Sequence, residues 1–400
     1  MVKLVSEKTS KIVKATAPIL AERGREITSY FYKTMFNDHP ELLHLFNHAN
    51  QEKGRQQAAL ANTIYAAATA IDQLDVLVPV VRQIAHKHRS LQVKKEHYPI
   101  VGEYLVRAIK DVLGEEATTE IVDAWKEAYT EIANVFIQVE EDLYKEAREK
   151  AWEGFKTFRI TRKKEESSVI TSFYLEAEDG FQIPSFLPGQ YVTLRLPLSG
   201  EPYLFNRQYS LSDAYNEKYL RISVKREGDE DRKGKVSHYL HDVLQEGDLI
   251  EITAPAGDFV LDQSTTPVYL ISGGVGITPM MSMLNDLSTH QPDRHVTFIH
   301  ASRNQEAHAF KQEVTSLLQQ IEHGQQVIFY DVLPLIMKED TSIEGPLDVE
   351  KLSQILTEKK GVFYICGPIP FMKSVIHSLY SLGVKKEAIH YEFFGPSLQI

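Results

Sequence analysis

The uneven distribution of glycine and proline along the chain is the feature that most constrains its fold. Residues 1–150 contain 4 Gly and 4 Pro, whereas residues 151–400 contain the other 17 Gly and 13 Pro. Because these residues interrupt helices and mark turns, we expect long helices in the first part and strands with turns in the second. Apolar residues recur at helical spacing around Trp125 and from Leu60 through Ala68 to Ile71. We therefore predict an all-α domain over residues 1–150.

The apolar pattern divides the second part of the chain again. Over residues 151–262, short alternating apolar runs are bounded by turn residues, which predicts an antiparallel β-barrel. Over residues 263–400, helical stretches separate continuous apolar runs, which are typical of buried strands in a doubly wound, parallel α/β sheet. These runs are 268–271, 296–299, 327–330 and 362–365. We therefore expect a multidomain protein with three domains.

Composition excludes several classes of function. The formal net charge of −11 argues against a nucleic-acid-binding protein and against binding to an anionic membrane surface. No apolar run approaches the roughly 20 residues that a transmembrane helix needs, and the first residues lack the apolar core of a signal peptide. Cys366 is the sole cysteine, which excludes an intrachain disulfide and a cysteine metal cage. We expect a monomeric, cytoplasmic protein whose partners are small molecules.

Two phrases in the barrel region contain the residue types that a flavin requires. Arg207 can neutralise a pyrophosphate, Tyr209 offers a ring face and Ser210 a hydroxyl near the flavin N5, provided that a strand presents alternate residues to one side. Further along, residues 234–237 open a helical stretch, and amides at a helix N-terminus bind phosphate. The first phrase alone is a weak signal, and an ordinary strand and turn is the alternative. The residues expected to bind the flavin are Arg207, Gln208, Tyr209, Ser210, Gly234, Val236 and Ser237.

Together these phrases resemble the FAD-binding domain of the ferredoxin-reductase family. The resemblance implies two further contacts with the flavin. Tyr191, in the phrase 188–191, would lie on the strand that enters the flavin pocket. The C-terminal phrase would supply an aromatic cover that shields the flavin ring until a nicotinamide displaces it. The residues of this cover are Phe393, Phe394, Gly395 and Pro396.

A glycine-rich phrase after the first parallel strand has the features of a nicotinamide-dinucleotide site. Glycine lets the backbone approach a pyrophosphate, and the helix expected from Met280 onward has a dipole that favours negative charge. Pro279 replaces the last glycine of the common dinucleotide fingerprint, and this departure matches the reductase family. The residues expected to bind NADH or NADPH are Gly273, Gly274, Val275, Gly276, Ile277 and Thr278.

Two positions near this phrase leave alternatives open. Cys366 follows the last apolar strand, where its thiol would lie near the hydride path at the carboxyl edge of the sheet or would be a buried structural group. Arg303 follows the second strand, where with Ser302 it could hold a 2′-phosphate or could be a solvated turn residue. The choice between NADH and NADPH is therefore open.

The helical domain contains six histidines, and one of them fits a haem ligand. A histidine taken singly is more often a surface or helix-end residue than a metal ligand. His88 lies 42 residues after Phe46, with Gln56 between them. This order resembles the globin pattern, in which a corner phenylalanine contacts the haem, a distal residue follows and a proximal histidine binds iron. His86 lies two residues away and would point to a different face of the same helix.

A closer resemblance is to flavohaemoglobin, and with the reductase phrases it covers nearly the entire chain. Its phrases in the first domain are Tyr30-Phe31-Tyr32, Pro40-Glu41-Leu42, Leu45-Phe46-Asn47, Ala49-Asn50-Gln51, Lys87-His88, 98–103 and Asp123-Ala124-Trp125. Membership of this family implies a globin fold over residues 1–150 that holds haem b. It further implies an FAD domain over 151–262, an NAD(P) domain over 263–400 and nitric oxide dioxygenase activity.

The resemblance also implies roles on the proximal side of the haem. His88 would be the proximal iron ligand. Tyr98 and Glu140 would lie behind it, so that the carboxylate accepts from the imidazole and increases electron donation to iron. Packing and solvation are the alternative roles of Tyr98 and Glu140. Lys87 would lie toward the flavin and tune both redox centres.

On the distal side, the resemblance places Tyr32, whose hydroxyl can stabilise negative charge on oxygen, with Gln56 and Leu60 completing the pocket. NAD(P)H would then reduce FAD, and FAD would pass single electrons to the haem, where O2 and nitric oxide give nitrate. A hydroperoxide reductase on the same scaffold is one alternative. A haem-based gas sensor and a plain reductase with a helical docking domain are two others.

Overall fold

The chain forms two compact units. The computed structural model describes residues 5–46, 51, 54–228, 233–332, 342–356 and 360–395. The first unit contains the N-terminal residues up to Gly154, together with Arg195–Arg207 and Gly395. The second unit contains Phe155–Leu194 and Gln208–Phe394.

Five α-helices make up most of the first unit within the described residues. They are α1 (Glu7–Asp38), α2 (Arg55–Thr69), α3 (Val78–Leu91), α4 (His97–Leu113) and α5 (Thr119–Lys150). The side-chain oxygens of Ser6 and Thr118 cap the two longest helices by accepting from the amides of Thr9 and Ile121. Gly114, whose φ of 58° favours glycine, ends α4. The prediction of an all-α domain is confirmed.

The helices pack on one apolar core, which includes Phe31, Met35, Ile109 and Trp125. The helix predicted from Leu60 to Ile71 is shorter than its apolar spacing suggested. It ends at Thr69, because the backbone of Ala70 leaves the helical region with φ −107° and ψ 20°. Ile71 is nevertheless fully buried. Ile71 is therefore apolar because it packs into the core just beyond the end of the helix, and not because the helix continues through it.

In the described part of the chain that follows, six strands form an antiparallel sheet, as the alternating runs predict. They are β1 (Phe155–Glu165), β2 (Ile170–Ala177), β3 (Tyr191–Pro197), β4 (Leu204–Ser210), β5 (Leu220–Lys225) and β6 (Leu249–Thr253). Their order in the sheet is β4-β3-β6-β1-β2-β5. Between β5 and β6 the chain forms the short helix α6 (Lys235–Asp242).

A second sheet is parallel and has six strands among the residues that the structure describes. Its strands are β7 (Val268–Gly273), β8 (Val296–Ser302), β9 (Gly324–Tyr330), β10 (Ser342–Glu344), β11 (Val362–Cys366) and β12 (Ile389–Glu392). The connecting helices are α7 (Ile277–His290), α8 (Lys311–Leu318), α9 (Val349–Ile355) and α10 (Ile369–Ser381). The predicted doubly wound sheet is confirmed, but the short edge strands β10 and β12 were not predicted.

The order of the parallel strands marks where a ligand can bind. The order is β10-β9-β8-β7-β11-β12, so the chain builds outward from β7 in one direction and later returns to its other side. In such sheets, ligands bind at the carboxyl ends of the strands where this reversal occurs. The loops that follow β7 and β11 meet at this point. Among the described residues, no helix combines the length and the apolar character required to cross a bilayer.

Candidate functional site

At the predicted proximal site, three helices of the first unit bring three predicted residues together. His88 lies on α3 and Glu140 on α5, and His88 Nδ1 is 2.7 Å from Glu140 Oε1. Tyr98, on α4, donates its hydroxyl hydrogen to the same oxygen at 2.6 Å. Glu140 is only 2% exposed, whereas the His88 side chain is 31% exposed. Because a carboxylate only accepts, Nδ1 carries the proton, and Nε2 is the ring nitrogen that can bind iron.

The electrostatics of this cluster keep Tyr98 protonated. Burial, followed by the neighbouring charge of Glu140, raises the pKa of Tyr98 well above its usual value. A protonated phenol is a donor, and it holds the carboxylate in place for the imidazole. His86 is buried on the same helix, and burial lowers its pKa to about 4. His88 is the predicted ligand, and its Nδ1 contacts the Glu140 carboxylate.

Tyr32, predicted to lie on the distal side, is a residue of α1 and belongs to an aromatic cluster. Its ring stacks on Phe36 at 5.6 Å and meets Phe46 edge-on at 5.8 Å. Burial raises the pKa of the Tyr32 phenol, and the nearby Gln56 amide opposes this shift. Leu60, on α2, is partly buried and packs against the same core. Of the predicted distal residues, Tyr32 and Gln56 therefore interact with each other, whereas Leu60 is placed only against the core of the helical domain.

A cavity of about 290 Å³ adjoins Tyr32 and contains polar residues that the sequence did not single out. Its lining consists of Ser29, Tyr32, Lys33, Phe36, Leu43, Gln51 and Gln57. Gln57 Nε2 donates to Gln51 Oε1 at 3.0 Å. Among the described residues, the buried atoms Gln51 Nε2 and Gln57 Oε1 have no hydrogen-bond partner. Gln51 belongs to the phrase 49–51 of the family resemblance, which was the one available signal for it.

The first unit also contains Lys87 and Gly395, the third residue of the C-terminal phrase. Lys87 Nζ donates to the carbonyl oxygen of Gly395 at 2.8 Å. Gly395 has a φ of 153°, within the range that favours glycine. In the second unit, Phe393 packs on Tyr391, and Phe394 is 47% exposed. Pro396 lies outside the described residues.

Strand β4 presents the predicted flavin phrase. Arg207 and Tyr209 lie at alternate positions and therefore on one face of the strand, and Ser210 is its last residue. Ser210 is buried, and among the described residues its Oγ has no hydrogen-bond partner. A buried hydroxyl that the protein leaves unpaired is costly unless a ligand satisfies it. Ser210 therefore fits a flavin.

The predicted phosphate cradle lies at the N-terminus of α6. Gly234 is the N-cap residue of this helix, and a Cβ atom there would lie 2.8 Å from Ser237 Oγ. Ser237 Oγ donates to the Gly234 carbonyl and accepts from the Glu227 amide, so the hydroxyl stabilises the turn itself. Val236 is buried. The atoms that this turn offers to a phosphate are thus backbone amides.

Tyr191, at the start of β3, is buried against the backbone. A Cβ atom at Gly257 would lie 2.9 Å from its ring, so this glycine leaves room for the tyrosine. Gly257 has a φ of 110°, which independently favours glycine. The turn that contains Gly257 therefore fixes the position of the Tyr191 ring.

The glycine-rich phrase lies at the carboxyl end of β7. Helix α7 begins at Ile277, three residues before the predicted start at Met280, because a single turn over Gly274–Gly276 leads directly into it. A Cβ atom at Gly276 would lie 2.2 Å from the carbonyl oxygen of Cys366, so only glycine allows this approach. Gly274 has a φ of 53°. The loops after β7 and β11 are thus in contact at the strand reversal.

Within this loop, the backbone rather than the side chains is available to a pyrophosphate. Ile277 and Thr278 are buried, and Thr278 Oγ1 donates to the Val275 carbonyl at 3.0 Å. A Cβ atom at Gly273 would lie 3.0 Å from the Phe371 ring. Cys366 is fully buried at the end of β11, and burial raises the pKa of its thiol.

Three family models match successive parts of the chain. The globin model matches residues 29–136, the oxidoreductase FAD-binding domain matches 157–261, and the oxidoreductase NAD-binding domain matches 270–377. A flavohemoprotein of Bacillus cereus (strain ATCC 10987) is 53% identical over 406 residues, which cover 99% of this chain and 100% of that protein. The chain belongs to the flavohaemoprotein family. The resemblance to flavohaemoglobin is therefore confirmed, and with it an NAD(P)H-dependent oxidoreductase.

Solved structures agree with this assignment. A flavohemoglobin from Malassezia yamatoensis, solved with bound FAD and haem, is 27% identical with a TM-score of 0.86 and covers 98% of this chain and 100% of its own. The FAD/NAD-binding domain of a nitric oxide dioxygenase from Vibrio cholerae is 42% identical with a TM-score of 0.55 and covers 60% and 99%. The predicted fold class is confirmed. The predicted set of haem, FAD and nicotinamide cofactors is confirmed as well.

Proposed function

We propose that this flavohaemoprotein is a nitric oxide dioxygenase that converts nitric oxide and O2 into nitrate. The observation that carries the proposal is the pairing of His88 with the buried carboxylate of Glu140, which makes Nε2 an electron-rich iron ligand. The relative from Vibrio cholerae described above is a nitric oxide dioxygenase, which supports the same reaction here. Nitric oxide, O2 and one electron give one nitrate, so one NAD(P)H supplies the electrons for two.

When bound, the haem supplies the iron that reacts with O2, FAD converts a hydride into single electrons, and the nicotinamide supplies that hydride. His88 would hold the iron through Nε2 while Glu140 and Tyr98 keep its Nδ1 protonated. Phe46 would contact the porphyrin. Tyr32 would donate its hydroxyl hydrogen to the reacting oxygen, because its raised pKa keeps the phenol protonated over the physiological range.

The remaining predicted residues would hold the flavin and the nicotinamide. Arg207 would neutralise the flavin pyrophosphate, Tyr209 would stack on the ring, and Ser210 Oγ would bond near N5. Tyr191 would support that ring, and the exposed Phe394 would cover it. The amides of residues 234–237 and 273–278 would bind the two pyrophosphates. Lys87, bonded to Gly395, would hold the C-terminal phrase and tune the redox centres.

Stopped-flow absorbance tests the order of these steps. The purified protein is mixed anaerobically with NADH, and the flavin and haem bands are followed separately. The proposal expects flavin reduction first, haem reduction second, and nitrate when O2 and nitric oxide are added. Haem reduction that precedes or coincides with flavin reduction would contradict the order of electron transfer. Flavin without a Soret band would contradict the role of His88.

The same proximal pair favours a second candidate, a hydroperoxide reductase. A carboxylate behind a histidine ligand increases electron donation, which also promotes cleavage of an O–O bond. The cavity beside Tyr32, about 290 Å³, can admit a substrate larger than O2. Product analysis separates the two candidates, because one forms nitrate from nitric oxide and the other consumes an alkyl hydroperoxide with NADH.

We also propose domain boundaries at residues 150 and 262, a monomeric state and a cytoplasmic location. The domain families support these boundaries, because their matched ranges end at 136 and 261 and resume at 157 and 270. Sedimentation equilibrium of the loaded protein tests the monomer, with a mass of 45.6 kDa plus cofactors expected. Limited proteolysis tests the boundaries.

A further inference from the structure

A buried ionic network in the second unit joins the antiparallel sheet to the parallel-sheet domain. Arg221, on β5, is only 3% exposed. Its two terminal nitrogens bind both oxygens of Glu313, on α8, at 3.0 and 2.7 Å. One of them also donates to the Ser212 carbonyl. The Asp213 carboxylate lies 3.7 Å from Arg221 Nε and accepts from the Tyr219 hydroxyl at 3.0 Å.

The network reaches both cofactor-binding phrases through short stretches of chain. On one side, Ser212 follows Ser210, the last residue of the flavin strand β4, by two positions. On the other side, helix α7, which begins in the nicotinamide loop, is held at two points. Ser282 Oγ donates to the Asp213 carbonyl at 2.8 Å, and Asn285 Nδ2 donates to Glu313 Oε1 at 3.3 Å.

The residue just before α8, Phe310, shows that this arrangement is closely constrained. Phe310 has a φ of 61° although it is not glycine, and its buried ring lies 5.3 Å from the Arg221 guanidinium. A bulky residue in the left-handed region is strained, and such strain persists only where the surroundings fix it. The packing of Phe310 under Arg221 therefore fixes the direction in which Glu313 points.

Stability alone is a weak reason for such a network. The desolvation of two buried charges opposes their attraction, so a buried ion pair often contributes little net stability compared with apolar residues. A planar, bidentate pair does, however, define both a distance and an orientation. Here the two partners lie on the two domains that must hold a hydride donor against its acceptor.

We propose that Arg221 and Glu313 are positioning residues for hydride transfer, because they set the distance between the flavin strand and the nicotinamide loop. This inference rests on the NAD(P)H oxidoreductase activity and not on nitric oxide as substrate. Neither residue touches a reacting atom. Loss of the pair is expected to slow the transfer step more than it weakens nucleotide binding, since misplacement by about 1 Å can cost roughly 100-fold in rate.

Arg221→Lys and Glu313→Gln test this proposal. Arg221→Lys keeps the positive charge but removes the planar guanidinium with its two donor nitrogens. Glu313→Gln keeps the shape of the side chain but removes its negative charge. Arg294→Lys is the matched control. Arg294 is also buried and binds a carboxylate, Asp262, at 2.7 Å, but it lies at the opposite end of strands β7 and β8. Each full-length protein, loaded with haem and FAD, is mixed anaerobically with a series of NADH concentrations, without nitric oxide.

We expect the limiting rate of flavin reduction to fall at least roughly tenfold in both test variants, with the apparent Kd for NADH changed less than about threefold. Reduction by dithionite and FAD content are expected to be unchanged. Amide hydrogen exchange over 211–214 and 277–285 is expected to rise in the test variants and not in Arg294→Lys.

Three results would overturn the inference. One is a limiting rate equal to that of the parent protein in both variants. Another is an equal loss in Arg294→Lys, which would indicate a general effect of removing a buried pair. The third is loss of FAD in both test variants, which would make the pair structural only. If the parent protein itself is not reduced by NADH, the oxidoreductase activity fails instead, and the two failures are thus distinguishable.

Discussion

Glu140→Gln is the change that most directly probes the proximal side of the haem. The Glu140 oxygen Oε1 receives two hydrogen bonds, from His88 Nδ1 at 2.7 Å and from Tyr98 at 2.6 Å, in a position that is 2% exposed. An amide there is neutral, so the imidazole loses a charge-assisted bond. Such bonds contribute about 1.5–3 kcal/mol, compared with about 1 kcal/mol for a neutral bond.

The consequence for the iron follows from that difference. A neutral amide draws the Nδ1 proton less strongly than a carboxylate does, so Nε2 becomes a poorer donor to iron. The iron–histidine bond is then expected to weaken and the haem to become easier to reduce. Loss of a partner behind a metal ligand typically costs about 10–100-fold in activity. We therefore expect the turnover of nitric oxide to fall by that factor and the iron–histidine stretching frequency to decrease.

Resonance Raman spectroscopy of the ferrous protein measures the bond, and nitrate formation measures the turnover. Tyr98→Phe is the matched variant, since it removes one donor to Glu140 but leaves the carboxylate beside His88. Its effect on the frequency is expected to be smaller than that of Glu140→Gln. An unchanged frequency in Glu140→Gln would refute the reasoning, as would a larger change in Tyr98→Phe.

Four further changes test other parts of the account. Tyr32→Phe removes the distal donor, and we expect nitric oxide turnover to fall about 100–1,000-fold with faster O2 release, as measured by flash photolysis; unchanged O2 release would contradict this role. Gly276→Ala places a Cβ atom 2.2 Å from the Cys366 carbonyl, so NADH-dependent flavin reduction should be lost while dithionite reduction persists. The Cys366 thiol, buried with a raised pKa, should resist iodoacetamide in the native protein and react after unfolding, as mass spectrometry would show. Burial, aided by His308, lowers the pKa of His300 well below 6.5. The unfolded chain therefore binds a proton that the native state does not bind, and stability should fall as pH drops below about 6.5. His300→Asn should reduce this decline, measured as the temperature midpoint of flavin release between pH 7.5 and 5.5.

The sequence predicted the fold well because local signals agreed with the tertiary structure. Helix-breaking residues separated the helical domain from the sheets, and Gly114 marked a helix end. The signals failed where packing decided the outcome. Ile71 is apolar because it is buried after α2, and α7 begins at Ile277 because Gly276 lets the loop approach the Cys366 carbonyl. The spacing of apolar residues along the sequence reveals neither the burial of Ile71 nor the approach of Gly276 to Cys366.

The candidate site shows the same division. Residues in continuous phrases, such as 207–210 and 273–278, could be proposed from the sequence, because a cofactor contacts several consecutive residues of one turn. Gln57 could not, because it matters only through the cavity beside Tyr32. Arg221 and Glu313 are 92 positions apart, and no local pattern relates a strand residue to a helix residue at that separation.

The central claim is that both atoms of O2 enter nitrate, and an isotope measurement tests it most directly. The loaded protein, supplied with NADH, is given nitric oxide and O2 labelled with heavy oxygen, and the nitrate is analysed by mass spectrometry. We expect nitrate that carries two labelled oxygens, with two nitrates formed for each NADH consumed. Nitrate without label, or NADH oxidation that yields no nitrate, would contradict it.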